Sequence, residues 1–105
     1  MQIYTDPSSK RIALRGGTGT LAVDPMGRGV LVVRRLAAVP SGKTYEAWVI
    51  PAGHAPRPAG LFRGGDSTTV HLHGLVPRDA VVAVTLERAG GVKAPTQTPI
   101  ISAGA

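Results

Sequence analysis

The sequence contains no cysteine. Disulfide scaffolds, thiolate nucleophiles and cysteine-ligated zinc are excluded together, while the redox compartment stays open because an exported domain need not carry disulfides. Aromatic side chains are nearly as scarce, with one Phe, one Trp and two Tyr. That is too few to interleave a basic surface with base-stacking platforms. Acids are outnumbered, 6 against 12 Lys and Arg, for a formal charge of +6. Such a balance suits a polyanionic partner, yet the cations are scattered from Lys10 to Lys93, so a solvated basic surface is the simpler reading and no nucleic acid is expected. No run of about eighteen apolar residues occurs, and "MQIYTDPSSK" lacks the apolar stretch of a signal peptide. No part of these residues is expected to insert into a membrane.

Turn-forming residues are abundant instead: 14 Gly and 9 Pro among 105 residues, beside 43% hydrophobic content. A chain of this length has room for one domain with one modest core, built from short elements joined by turns. "RIALR" alternates with period two and ends at "GGTG"; "TLAVD" and "GVLVVRRL" flank "PMGR" as a β-hairpin. In "TYEAWVI" both faces are mostly apolar, Tyr45, Ala47 and Val49 on one and Glu46, Trp48 and Ile50 on the other, which marks a central strand. "AGLF" and "STTVHLHGL" follow, the latter placing Val70 and Leu72 inward and His71 and His73 outward. The Val-rich run "AVVAVTLE" is too short for a buried helix and fits a strand covered on both sides, beside residues 45–50. "TPII" is expected to add an edge strand over 98–101, where proline is tolerated. The expected fold is all-β, a two-layer antiparallel β-sandwich, Ig-like or small and barrel-like, of about seven strands. Its domain is expected over 11–101, with a flexible segment at 1–10 and a tail at 102–105. Trp48, Tyr45, Leu61, Val82, Val84 and Leu86 are expected in the core, where few other large side chains exist to hold two layers together.

Candidate chemistry is sparse. His71 and His73 share a strand face with a spacing that a metal can use, and His54 in the Pro/Gly loop is a candidate third ligand. No acid stands beside them, and exposed polar positions are the simpler account, so neither a metal nor a cofactor is expected. "RGGTGT" lacks the Lys and the following helix of a phosphate-binding loop and reads as a glycine turn. Asp66, Ser67 and His71 have the residue types of a hydrolase triad without a nucleophile elbow. An enzyme is not expected.

Three separated stretches nonetheless fit one pattern: "GRGVLVVRRLAAVPSGKTYEAWVIPAG", "AGLF" and "AVVAVTLERAGGVKAPTQTPII". They resemble the C-terminal extracytoplasmic domain of the anti-sigma-K factor (RskA-like) family, with its G-K-x-Y-x-x-W-x-I-P strand, its G-L-F, and its A-V-T-L-E-P-x-G-G run followed by a P-T-G-P-type segment. The matching residues are Gly42, Lys43, Tyr45, Trp48, Ile50 and Pro51; Gly60, Leu61 and Phe62; Ala83, Val84, Thr85, Leu86, Glu87, Gly90 and Gly91; and Pro95, Thr96 and Pro99. Arg88, Val92 and Gln97 depart from the family's Pro, Ser and Gly. The resemblance implies a non-catalytic domain on the outer side of a bacterial inner membrane, part of a single-pass protein. Its cytoplasmic domain, absent from these residues, would hold an extracytoplasmic-function sigma factor, and a membrane-associated protease would release it. The composition leaves a second function open, a small basic module binding an anionic ligand or nucleic acid.

Overall fold

The computed structural model describes residues 3 and 6–105. Its described residues form eight strands, β1 (Lys10–Ala13), β2 (Thr18–Val23), β3 (Arg28–Leu36), β4 (Lys43–Ile50), β5 (Arg57–Phe62), β6 (Gly65–Leu75), β7 (Val81–Arg88) and β8 (Ile101–Gly104), and no helix. Two four-stranded antiparallel sheets, ordered β1-β2-β3-β6 and β5-β4-β7-β8, pack face to face as a sandwich and do not close into a barrel.

Turn chemistry sets the registers. Between β2 and β3 the Asp24 carboxylate accepts from the backbone N–H groups of Met26 at 3.0 Å and Arg28 at 2.9 Å, with Gly27 at φ 85°. This Asx-type turn fixes the expected hairpin. Lys43 N donates to Pro40 O at 3.1 Å with Gly42 at φ 79° in the third position, a type II arrangement that needs glycine there. "RGGTGT" runs from the turn after β1 into β2, and a Cβ at Gly16 would stand 2.1 Å from the Ile100 carbonyl oxygen. The glycine therefore serves close approach of backbone, as a turn and not as a phosphate cradle.

Period-two alternation places Leu21, Leu31, Val33, Val70 and Leu72 of the first sheet against Tyr45, Ala47, Val49, Val82 and Val84 of the second. Tyr45 and Phe62 stack here with ring centroids 5.5 Å apart, and the Tyr45 hydroxyl donates to Ala37 O at 2.7 Å. β4 is central and β7 lies beside it, as its Val-rich run indicates. Leu86 is partly buried against the core.

Three expectations need correction. The last strand runs over Ile101–Gly104 and not over 98–101. Pro99 offers no N–H, whereas Ile101 and Ala103 alternate inward, at 2% and 3% exposure, opposite Val84 and Val82. The residues read as a tail thus carry the strand. Leu61 is 46% exposed, because its register opposite Glu46 puts it on the outer face of its sheet. Trp48 is fully buried but faces away from the layer between the sheets, alternating with Ala47 and Val49. Of the segment read as flexible, positions 1, 2, 4 and 5, Tyr4 among them, lie outside the described residues, and Lys10 already belongs to β1.

Leu31→Ala should cost about 2–5 kcal/mol, whereas Leu61→Ala should stay within about 0.5 kcal/mol of wild type. Urea denaturation of both variants checks the two placements, and equal losses would refute them.

Candidate functional site

The outer face of β4 and β7 gathers part of the family motif, Trp48, Ala83, Thr85 and Glu87, while Tyr45, Phe62 and Val84 face the layer between the sheets. Registers Thr44↔Glu87, Glu46↔Thr85 and Trp48↔Ala83 put these side chains side by side, and all of them are buried. A sheet face carrying two acids, two threonines and an indole is buried only where another segment covers it and satisfies its polar atoms. That segment is the irregular strap between β7 and β8, residues 89–100.

The strap is held chiefly by side-chain acceptors. The Trp48 indole N–H donates to Thr85 Oγ1 at 2.9 Å, and that hydroxyl donates to Glu87 Oε2 at 2.7 Å. Glu87 reaches the strap, accepting from Thr96 N at 3.1 Å through Oε2 and from the Thr96 hydroxyl through Oε1. Glu46 Oε1 accepts from Val92 N at 2.8 Å. Backbone bonds close the ends, Ala89 N to Gly42 O at 2.8 Å and Ile100 N to Val84 O at 2.9 Å. Gly91 N donates to Arg88 O at 3.0 Å across a turn with Gly90 at φ 90°. A Cβ on Gly91 would come within 2.9 Å of Leu61 Cδ2 and 3.1 Å of Glu46 Oε2. Hence the two glycines differ in duty: Gly90 supplies the turn and Gly91 the close approach. Arg88 contributes a carbonyl and Val92 an N–H, so these two departures from the family pattern fall where backbone atoms make the bond.

The two carboxylates are tuned in opposite directions. Burial pushes Glu87 up, but the bonds donated by Thr85 and Thr96, with the attraction of the Lys43 ammonium, outweigh it and hold the carboxyl below its ordinary range. Burial also pushes Glu46 up, and there the single Val92 N–H does not compensate while the neighbouring Glu87 charge adds to the rise.

The other candidates do not assemble. His71 and His73 are exposed on the outer face of β6, and His54 is exposed in the 51–56 loop. Among the described residues no group of three or more His, Cys, Asp or Glu is placed to hold a metal ion. Ser67 and His71 lie four residues apart along β6, about 13 Å at the usual rise per residue, too far to share a proton. No helix of the described residues is long and apolar enough to cross a membrane.

Sequence reasoning missed Glu46 and Asp24. Glu46 was signalled by an acid between Tyr45 and Trp48 in a strand covered on both faces. Asp24 was signalled by D-P-M-G-R: its buried carboxylate also takes the Arg28 Nε at 2.7 Å. Burial raises that carboxyl, and the Arg28 and Met26 hydrogen bonds with the guanidinium charge bring it below its ordinary value.

The architecture is a two-sheet antiparallel β-domain whose buried polar groups secure a strap. The family model for the C-terminal domain of the anti-sigma-K factor RskA matches residues 2–100, and the chain belongs to that family. It is 34% identical over 105 residues to an uncharacterized protein in the phr 5′ region of Streptomyces griseus, an alignment covering 94% of this chain and 43% of the relative. The chain thus spans less than half of that relative's length. No solved structure gives a significant match.

Thr85→Val keeps the shape but orphans the Trp48 indole N–H and removes a bond to Glu87, and should cost about 1–3 kcal/mol in chemical denaturation. Glu87, with its pKa depressed, contributes stability that is complete above its unfolded-state value and is lost as pH falls through the folded one. Glu46, with its pKa raised, works in the opposite sense as pH climbs. Stability of Glu87→Gln should therefore fall less steeply than wild type below about pH 4.5; parallel acid limbs would show that Glu87 is not the titrating latch.

Proposed function

We propose that this chain is the extracytoplasmic regulatory domain of a membrane-bound anti-sigma factor, and that its folded state gates the proteolysis that releases an extracytoplasmic-function sigma factor. Membership of the RskA C-terminal family supports the setting. The observation that carries the gate is the strap, an exposed Gly- and Pro-rich segment held over Trp48 by Thr85, Glu87 and Glu46. Proteolysis of folded chains follows the population of opened states when opening and closing are fast. A domain with one segment fastened by a few buried bonds has an opening mode cheaper than global unfolding. The sigma factor binds the separate cytoplasmic domain of the whole protein, and a membrane-associated protease makes the cut. The proposed role is non-catalytic, which family membership supports, and the carboxylates of Asp24 and Glu87 are engaged by intramolecular donors on both oxygens.

In the full-length protein, Val84→Ala and Thr96→Ala should raise basal cleavage and sigma-dependent transcription without an inducing signal. Each loss of about 1.4 kcal/mol in opening free energy corresponds to a tenfold rise in the open population. Arg78→Ala, an exposed position, should leave both readouts unchanged. Fragment immunoblots and a sigma-dependent reporter measure the effect. Wild-type release from variants whose lower stability has been measured would show that folding is not the gate.

A further inference from the structure

The two sides of the sandwich are finished differently. On one side the outer strands β1 and β8 have 4 residues each, and the sheets are joined across it. Arg15 N donates to Ser102 O at 2.8 Å, and Ser102 N donates to Arg15 O at 3.0 Å. On the opposite side the outer strands are β5 and β6. β6, at 11 residues, is the longest strand, and among the described residues nothing pairs with its outer edge. A long free edge offers a row of unpaired N–H and C=O groups, a template that folds usually blunt. Here one end alone is blunted, where the Arg57 guanidinium donates to His73 O at 2.6 Å and to Leu75 O.

Beside the rest of that edge a groove of about 420 Å³ opens between β5 and β6, with Gly60, Phe62 and Val70 supplying apolar contact and Thr69 and His71 on its rim. An added strand alternates its side chains, so one set meets this groove and the other faces outward. Cations lie near the edge: Arg63 in the β5–β6 connection is exposed, and Arg34, one strand inward on β3 opposite Ser67, is exposed too, against the single acid Asp66 on β6. A second copy would bring the same cations against these. The chain's six acids, Asp6, Asp24, Glu46, Asp66, Asp79 and Glu87, are spread singly along the sequence, and three of them are buried, so no segment of this chain supplies the complementary charge.

We propose that the free edge of β6, from Asp66 to His71, docks an extended acidic segment of a partner protein by strand addition. Backbone bonds along the edge give affinity, Arg34 and Arg63 select acidic side chains, and the groove takes the apolar ones between them. The β6 edge belongs to the sheet opposite the strap, with β5 of the strap's own sheet lining the groove, and the proposal does not depend on the proteolytic gate.

The test titrates the 105-residue chain with a blocked ten-residue peptide alternating Glu and Val, read by binding isotherm and by backbone amide exchange. Binding should slow exchange within residues 66–71, weaken as salt rises, and be at least tenfold weaker for the Lys–Val peptide. Arg63→Glu combined with His71→Glu, both exposed, should weaken binding at least tenfold with the melting temperature unchanged. A Glu–Val peptide N-methylated at every residue offers no N–H to the β6 carbonyls on either edge and should not bind, a control that requires no variant to fold. Equal binding of the N-methylated or Lys peptide, or protection confined to β1 or β8, would overturn the proposal. So would protection of 66–71 by self-association without peptide, which would make the occupant a second copy.

Discussion

Burial of both faces of the β4–β7 pair is the constraint on which the rest of the structure depends. One face is covered by the other sheet and needs only apolar side chains. The other face has no second sheet to meet, so the chain covers it with its own strap. The strap has too much glycine and proline to form a strand and cannot saturate its N–H groups through a ladder. The acceptors therefore come from the sheet beneath, and Glu46 and Glu87 serve because a carboxylate takes several donors at once. Trp48 completes the arrangement as the apolar mass that the strap encloses, with its one polar atom passed to Thr85.

This explains why two buried acids on adjacent strands are tolerated. Glu87 is given donors on both oxygens and the nearby Lys43 charge, and stays ionised at little cost. Glu46 is left with the Val92 N–H and the repulsion of its neighbour. The burden of the pair thus rests on Glu46, the member nearer the Gly90–Gly91 turn, where the strap begins. A buried polar network is worth most when every member is satisfied, so loss of the Thr96 donors is felt at Trp48 through Glu87 and Thr85.

Architecture was legible in the sequence where polar and apolar residues alternated, as in β6, where short apolar runs stood between turn signals, as in β3, β4 and β7, and where glycine marked a turn by necessity. β8 was not legible: "ISAGA" has one alternation and low strand propensity, and its place is decided by tertiary contact of Ile101 and Ala103 with the core. The side of the sheet occupied by Trp48 was legible as parity, but size and scarcity argued for the layer between the sheets. The error came from treating a central strand's two faces as equivalent covers. The motif residues themselves were found by resemblance; that Trp48, Thr85, Glu87 and Thr96 among them fasten a strap appeared only when Thr96 and Glu87 were seen in contact.

The strap and the β6 edge together give the domain two kinds of surface with different energetics. Exposing Trp48 requires breaking bonds to buried carboxylates, so events on that face are paid for by local opening and respond to any change in stability. The β6 edge is already open, and occupancy there follows partner concentration and charge without unfolding anything. Because β6 joins the second sheet through its turn to β5, the Arg57 bonds to His73 and Leu75 and the shared core, a strand added at the edge stabilises the first sheet directly and the strap only through these links. A partner at β6 would then shift the strap's opening equilibrium by no more than its differential affinity for the closed and opened domain. Coupling between the two surfaces is therefore weak unless strap opening also loosens the core beneath β7, and Val84, which packs in that core and accepts the strap's last hydrogen bond from Ile100, is the residue through which it would pass.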